Sequence, residues 1–235
     1  MWYSIYDWWF MKNIFKVLIF PILITIVSIL IGVLFGDIFW GTLSLIFGFL
    51  NAYYMAIGKW YNYIFGFLFA VVYAYICTIN GLFGLLIFTI IFYLPLQVTG
   101  LINWFKNKQE AEVKMRSLNL KTATVLCVSV VAGSTLLGFL LSLIPGQNLA
   151  FLDSTSQIIN LCGVVLGTLR FRESWYIWLL NNLVDLSIWI INTIAHTPNA
   201  EMSLVTSIMY LVMNVIGVVS WIILERRQKA KEQIS

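Results

Sequence analysis

Aromatic, amide and carboxylate side chains recur at a helical period in one stretch of the sequence. Their spacing of three and four residues places them on one helix face, and the positions are Trp175, Trp178, Asn182, Asp185 and Trp189. Tryptophan faces stack on rings and attract cations, and an amide both donates and accepts hydrogen bonds. The stripe predicts a binding site for an aromatic, neutral or cationic solute. The alternative interpretation is that the tryptophans anchor the chain in lipid and the polar groups join helices.

Two further stripes share the order tyrosine, amide, glycine and tryptophan at positions i, i+4, i+7 and i+11. They are Tyr93, Gln97, Gly100 and Trp104 in one segment, and Tyr210, Asn214, Gly217 and Trp221 in another. We expect both glycines to permit close helix packing. The two amides remain open to two roles, because either a hydrogen bond between helices or a ligand contact would satisfy them.

Ten residues are predicted to bind a substrate, because polar groups inside apolar segments are costly unless they face a cavity or a partner. They are Trp178, Asn182, Trp175, Gln157, Asp185, Gln97, Tyr93, Asn214, Tyr210 and Asn51. Asn160 is an additional amide that can converge on the same cavity. Asp185 is the only acid well inside an apolar segment, where insertion scales give a cost of about 2.5–3.5 kcal/mol. It therefore needs a polar cavity or a hydrogen-bond donor.

Several classes of function are disfavoured by what the apolar segments lack. Apart from Lys16 at the start of the first segment, they contain no lysine or arginine, and the chain has no glycine-rich phosphate loop, so a phosphorylated substrate finds no partner. The single histidine, His196, lies in a loop without a nucleophile and base beside it, so an enzyme is not expected. The three cysteines have no CxxC spacing, and we expect neither a metal site nor a cofactor. The cations are scattered over short loops, which argues against nucleic acid as a partner.

The elements that position these residues follow from composition. The chain has 235 residues, of which 61% are hydrophobic and only 10% are charged, too few polar residues to coat a soluble protein. In lipid, apolar runs of about 20 residues form helices because every backbone polar group must be satisfied internally. Eight such segments cover residues 14–35, 38–57, 61–79, 82–102, 122–144, 151–169, 175–194 and 203–224. The sequence predicts an all-α integral membrane protein with eight transmembrane helices.

The 14 lysine and arginine residues test this count, because cytoplasmic loops of membrane proteins carry an excess of positive charge. All of them fall before or at the very start of the first segment, where Lys12 and Lys16 lie, or after the second, fourth, sixth and eighth. The ionisable side chains of the opposite loops are acidic, with the single exception of His196. Both chain termini are therefore predicted to be cytoplasmic.

An internal repeat relates the two halves of the chain. The segment from Tyr93 to Trp104 aligns with that from Tyr210 to Trp221, and upstream Trp60-Tyr61 aligns with Trp175-Tyr176. The second to fourth segments thus repeat as the sixth to eighth, and the fifth restores their orientation. This predicts one N-terminal accessory helix plus a 3+1+3 parallel repeat, a SWEET-like arrangement with the substrate path between the halves near the midplane.

Five units follow from these boundaries. They are an N-terminal interfacial segment and accessory helix (1–36), a first three-helix repeat (37–105), a cytoplasmic loop and linker helix (106–146), a second three-helix repeat (147–224) and a basic cytoplasmic tail (225–235).

The spacing of Trp175, Trp178 and Asn182 resembles the WxxWxxxN motif of the PnuC family of bacterial vitamin transporters. The stretch Gly-Lys-Trp-Tyr-Asn-Tyr-Ile-Phe-Gly-Phe at 58–67, the turn at 80–84 and the Tyr-Leu-Pro-Leu-Gln run at 93–97 are similar to that family as well. The likeness spans residues 38–221.

This resemblance implies a multi-pass transporter of the bacterial inner membrane that facilitates the uptake of nicotinamide riboside, which cytoplasmic phosphorylation then traps. It implies a pyridinium ring on Trp178, a carboxamide near Asn182 or Gln157, and a ribose diol near Asp185 or another polar group. The transporter is expected to be a homotrimer surrounded by membrane lipid.

Three alternatives stay open at this point. Relatives of the family carry thiamine or riboflavin, and thiamine is also cationic and aromatic. Asp185 inside the membrane favours a second hypothesis, in which it couples substrate movement to protons. In a third hypothesis, the chain is a non-transporting membrane assembly or sensor subunit, and its amides only join helices.

Overall fold

The computed structural model describes residues 19–37, 39–79, 86, 88–109, 112–145, 147, 149–196 and 200–232. Within them, eight α-helices follow one another: α1 (Phe20–Phe35), α2 (Trp40–Ala56), α3 (Asn62–Ile79), α4 (Leu94–Lys106), α5 (Leu120–Ser142), α6 (Ala150–Thr168), α7 (Ser174–Ile194) and α8 (Ala200–Glu232). The expected all-α architecture is confirmed. The N-terminal interfacial segment up to residue 18 and the turn at 80–84 lie outside the described residues.

Two local features differ from the uninterrupted apolar helices that the sequence predicts. A π-helical turn, Thr89–Tyr93, leads directly into α4, whose second residue is Pro95. Proline has no backbone N–H and cannot take part in the regular α-helical ladder, which favours such a change of period. The helix α8 continues to Glu232, so the basic tail predicted to begin at 225 starts as a helical extension.

The chain is a multi-pass membrane protein. Five of the described helices, α3, α5, α6, α7 and α8, are long and apolar enough to cross a membrane, and α1 is a shorter apolar helix. The outer face of α5 shows why lipid is its solvent: Val125, Val128, Val131 and Leu136 are all exposed. A continuous apolar surface of this kind is rare on soluble monomers.

Six helices form a closed ring by their pairwise contacts. Within one triplet, α3 packs between α2 and α4, and within the other, α7 packs between α6 and α8. The triplets meet at two places, where α4 packs on α6 and where α8 packs on α2. The remaining helices lie outside the ring, since α1 packs on α2 and α5 packs on α6.

Two buried tryptophans join the triplets crosswise near one end of the ring. Trp104 Nε1 of α4 donates to the Gly167 carbonyl of α6 at 2.9 Å, and Trp221 Nε1 of α8 donates to the Met55 carbonyl of α2 at 3.0 Å. Both acceptors are the penultimate residues of their helices. The two indole rings are 5.9 Å apart. A tryptophan at the same position of each aligned stripe thus makes the same kind of contact to the opposite triplet.

The loop between α4 and α5 bonds to both triplets at this end of the molecule. It contains a hairpin of two short strands, β1 (Lys108–Gln109) and β2 (Glu112–Val113). The backbone N–H of Val113 donates to the Gly58 carbonyl between α2 and α3 at 3.1 Å. Arg116 exchanges backbone hydrogen bonds with Arg170 and Arg172 between α6 and α7, at 2.9 and 3.0 Å. The loop therefore links the connections that follow the first helix of each triplet.

Several arginines lie in this loop region, and their surroundings shift the pKa values of Arg170 and Arg172 in opposite directions. Burial lowers the pKa of Arg170, and the neighbouring charge of Arg116 lowers it further. The pKa of Arg172 is raised, because its guanidinium donates hydrogen bonds to the carboxylates of Glu173 and Glu225. The pair with Glu225 connects the α6–α7 loop to α8.

Candidate functional site

A cavity of about 280 Å³ lies between the two triplets. Eight of the ten residues predicted to bind a substrate line it: Asn51, Tyr93, Trp175, Trp178, Asn182, Asp185, Tyr210 and Asn214. Asn160, the additional amide, lines it as well. The cavity is close to the lower end of the size range of small-molecule sites, about 300 Å³.

The two predicted glutamines are placed differently. Gln97 is buried and lines a small neighbouring cavity of about 30 Å³, to which Asn51, Tyr93 and Trp178 also contribute. Its Oε1 atom has no hydrogen-bond partner in the described part of the chain. Gln157 is half-buried on α6 and lines neither cavity. Gln97 is thus adjacent to the main cavity, whereas Gln157 is not brought to it.

The Trp178 indole lies across α6 at two glycines, one helical turn apart. A Cβ atom at Gly163 or at Gly167 would overlap its ring. Trp175 packs edge-to-face against Trp178, with ring centroids 5.3 Å apart, and is only 1% exposed. Its ring fills the space that Gly217 leaves on α8. The Trp178 ring therefore forms a wall of the cavity, and its position is held by Trp175 and by the two glycines of α6.

Close packing at the aligned glycines agrees with the expectation from sequence. A Cβ atom at Gly100 would overlap the Tyr63 ring of α3, just as one at Gly217 would overlap the Trp175 ring of α7. Each glycine thus lets an aromatic ring of the preceding helix reach its backbone. Neither glycine lines the main cavity.

The asparagines of α7 and α8 are hydrogen-bonded to one another. Asn214 donates through Nδ2 to Asn182 Oδ1 and to the Trp178 carbonyl, the latter at 3.1 Å. Both amide side chains are buried. This contact joins α8 to α7 at the depth of the cavity and sets the orientation of the Asn182 amide.

Asp185 accepts two hydrogen bonds, one from helix α6 and one from its own helix. Ser156 Oγ of α6 donates to Oδ1 at 2.5 Å, and Asn181 Nδ2 donates to Oδ2 at 2.8 Å. Asn181 was not among the residues predicted from sequence, although it lines the cavity. Its spacing of four residues from Asp185 is the signal that would have identified it.

Tyrosine and phenylalanine rings form another part of the cavity wall. The Tyr210 hydroxyl lies at Gly48, where a Cβ atom would collide with it, and the ring packs edge-to-face on Phe49 at 4.9 Å. Tyr93 packs edge-to-face on Phe69 at 5.8 Å. Phe69 and Ser207 also line the cavity and were not predicted. The sequence gives no polar signal for a phenylalanine in an apolar segment.

The chemistry of this site is that of binding. The lining combines aromatic faces, asparagine amides, two tyrosines, a serine and one carboxylate, and among the residues that the structure describes it includes no lysine, arginine or histidine. In the described part of the chain, no three histidine, cysteine or acidic side chains are grouped to hold a metal ion. Aromatic faces and amides suit a ring with neutral polar groups.

Comparison with known proteins agrees with this description. Residues 38–223 match a family model described as nicotinamide mononucleotide transporter. The chain is 26% identical over 205 residues to a nicotinamide riboside transporter PnuC of Neisseria mucosa, covering 83% of this chain and 76% of that one. It is 28% identical over 144 residues to a nicotinamide riboside transporter PnuC of Haemophilus influenzae, covering 59% and 60%.

A solved structure has the same fold. The crystal structure of the vitamin B3 transporter PnuC superimposes with a TM-score of 0.72 at 25% sequence identity, covering 89% of this chain and 91% of that one. The relatives are named as transporters, which agrees with the prediction from sequence that the chain is not an enzyme. Because the family model spans most of the sequence, the chain belongs to the PnuC family of membrane transporters, whose model is described as nicotinamide mononucleotide transporter.

Proposed function

We propose that the chain transports nicotinamide riboside through the cavity between its two helix triplets. The observation that carries this proposal is the lining itself, which brings Trp178 together with the amides of Asn181 and Asn182 and, among the described residues, holds no lysine, arginine or histidine. A positively charged pyridinium ring suits a tryptophan face, and a carboxamide suits an amide pair. The relatives from Neisseria mucosa and Haemophilus influenzae are named for this substrate.

The riboside is favoured over the mononucleotide, which gives the family model its description. A phosphate is recognised by arginine, by lysine or by backbone N–H groups at a helix N-terminus. Within the described part of the chain, the cavity lining has no basic side chain, and Asp185 is its only carboxylate. A bound phosphate would therefore lose its water without gaining a counter-charge, and would be repelled by a neighbouring carboxylate.

Two vitamins offered as alternatives fit the lining less well. Riboflavin has a fused three-ring system, which a cavity of about 280 Å³ accommodates poorly beside a sugar chain. Thiamine is cationic and aromatic, but it carries no carboxamide for the asparagine pair. The non-transporting alternative has no support from the relatives, which are named as transporters.

We propose alternating access by rocking of α2–α4 against α6–α8, arranged as a 3+1+3 parallel repeat with α1 as an accessory helix. The crosswise contacts of Trp104 and Trp221 support this arrangement, because each aligned tryptophan binds the opposite triplet. Transport is passive in this proposal, and phosphorylation in the cytoplasm traps the substrate. Both oxygens of Asp185 already accept hydrogen bonds, which favours a structural role over proton coupling.

Uptake into proteoliposomes tests the proposal. Vesicles that contain the purified protein should accumulate labelled nicotinamide riboside down its gradient, whereas labelled nicotinamide mononucleotide should stay outside because its phosphate finds no cation. A proton gradient should leave the rate unchanged. Uptake of the mononucleotide at a similar rate would contradict the substrate, and uptake that requires the proton gradient would contradict the passive mechanism.

We further propose eight membrane spans in the bacterial inner membrane with both termini in the cytoplasm, supported by the one-sided distribution of lysine and arginine. In a variant with Cys77, Cys127 and Cys162 replaced by alanine, single cysteines introduced as Glu201→Cys and Ser235→Cys should behave oppositely. A membrane-impermeant thiol reagent should label intact cells at 201 but label 235 only after permeabilisation. The reverse pattern would contradict the orientation. The homotrimer stays a prediction, which native mass spectrometry tests.

A further inference from the structure

Val113, in the loop between α4 and α5, is bonded to both helix triplets at once. Its backbone N–H donates to the Gly58 carbonyl between α2 and α3 at 3.1 Å, and its own carbonyl accepts from Gln228 Nε2 of α8 at 2.8 Å. Its side chain is only 1% exposed, although loops normally run over the surface. Val113 is therefore inserted between the triplets. It begins a segment, residues 113–116, that we call the latch.

The Val113 side chain belongs to an apolar cluster that lies between the cavity and this loop. Met55 and Trp175 are members of the cluster and also line the cavity, whereas Val113 comes from the loop. Trp104 and Trp221, which join the triplets crosswise, belong to the same cluster. A solute in the cavity can therefore leave through this end of the molecule only if the cluster parts.

The rest of the latch is bonded to the second triplet, α6–α8. The peptide group between Lys114 and Met115 is held at both of its polar atoms. Its N–H donates to Gln228 Oε1 at 3.1 Å, and its carbonyl accepts from Arg170 Nη1 at 3.0 Å. Arg116 exchanges two backbone hydrogen bonds with the loop between α6 and α7. Each latch residue is thus bonded to the second triplet through its backbone.

The two places that hold the latch are also joined to one another. The Arg172 guanidinium in the α6–α7 loop donates to the Glu225 carboxylate of α8, about one helical turn before Gln228. Lys229 pairs with the same carboxylate at 2.6 Å. The α6–α7 loop and the end of α8 therefore form one support for the latch.

We propose that the latch closes the cytoplasmic end of the transport path and stays with the second triplet when this end opens. Val113 then leaves the apolar cluster, and its hydrogen bond to Gly58 is the contact that breaks. The attachment to α6–α8 along the whole latch is the reason for this order. The inference rests on the proposed function, because a transporter must open this end, and on the proposed topology, which places it in the cytoplasm.

Access to the cavity from each end tests the latch. Ala52 lines the cavity, so Ala52→Cys places a thiol there in a parent protein whose three native cysteines are replaced by alanine. A charged, membrane-impermeant thiol reagent enters through the cytoplasmic end in inside-out vesicles and through the opposite end in right-side-out vesicles. The labelling rate in each preparation is the readout, and it requires no substrate.

Val113→Ala should raise the labelling rate through the cytoplasmic end about ten-fold, because two buried methyl groups no longer favour the closed state. Gln228→Ala should raise it by a similar factor, roughly that of two lost hydrogen bonds, while the apolar cluster keeps all its side chains. Neither variant should label faster through the opposite end. Val128→Ala makes the same truncation on α5, where the valine is 63% exposed, and should label as the parent protein does.

Two results would overturn the inference. An unchanged rate through the cytoplasmic end in either Val113→Ala or Gln228→Ala would show that the latch does not close this end. A similar rise through both ends would show that the substitutions loosen the whole protein. Because labelling is measured without substrate, both results are distinct from a lack of nicotinamide riboside uptake, which would contradict the proposed function.

Discussion

Replacing Trp178 with alanine is expected to weaken nicotinamide riboside binding by about 100-fold. Of the two indoles that line the cavity, that of Trp178 is the more exposed, and it is held between Trp175 and two glycines of α6, so it is preorganised to stack on a flat cation. Alanine removes both the stacking surface and the attraction of the ring for positive charge. Isothermal calorimetry on the detergent-solubilised protein measures the loss. The affinity of Trp178→Phe should lie between those of the wild-type protein and Trp178→Ala.

Trp189→Ala is the matched control for this substitution. Trp189 lies on the same helix and is half-buried, but it lines neither of the two cavities. The same truncation should therefore keep the wild-type affinity. Both variants should elute as single peaks in gel filtration, which separates loss of binding from loss of folding. Equal affinity of Trp178→Ala and wild-type protein would place the substrate away from this wall.

The helices could be predicted from the sequence because lipid imposes a simple rule. A segment that crosses hydrocarbon must satisfy its backbone internally, so apolar length identifies it without knowledge of its neighbours. The π-helical turn before α4 could not be predicted in the same way, since Pro95 signals an interruption without its geometry. The turn ends at Tyr93, one of the residues that line the cavity.

The candidate site could be predicted in part, because helical spacing gives the face on which a residue lies but not its partners or its depth. Gln157 was selected as an amide in an apolar segment, yet it lines neither cavity. Asn181 was missed because it lies one residue outside the stripe that contains Asn182. Its partner Asp185 lies four residues further along the same helix, but Asp185 also accepts from Ser156 on α6, and this contact between helices exists only in the folded chain.

The orientation of an amide side chain in the site depends on contacts between helices even more than its position does. A sequence shows that Asn182 is an amide but not which of its atoms is free, and the answer lies with Asn214, which is 32 residues away in the chain. The three helices of the second triplet therefore contribute to one ligand site in different ways. The helix α7 supplies the wall and the amide pair, whereas α6 and α8 hold them in place through Ser156, the glycines and Asn214.

Gly163→Ala tests that division directly, and we expect it to weaken nicotinamide riboside binding at least ten-fold, roughly the effect of an overpacked buried site. The added methyl group would occupy the space of the Trp178 indole, which cannot retreat because Trp175 packs against it. The indole must then move into the cavity or turn its face away from the ligand. Calorimetry gives the affinity, and quenching of tryptophan fluorescence by the substrate reports the altered stacking.

Gly133→Ala makes the same chemical change on α5, where helix α6 also packs, and it is the control. The nearest atoms to a Cβ at Gly133 belong to the Ile158 side chain at 3.5 Å, an ordinary van der Waals contact. This variant should bind as the wild-type protein does, and its stability should not fall, because alanine is the better helix former. If Gly163→Ala also bound normally, Trp178 would be free to adjust and α6 would not set its position. Wild-type affinity in Gly133→Ala together with weaker binding in Gly163→Ala would show that Gly163 contributes to binding although it does not line the cavity. Its only contribution is the absence of a side chain.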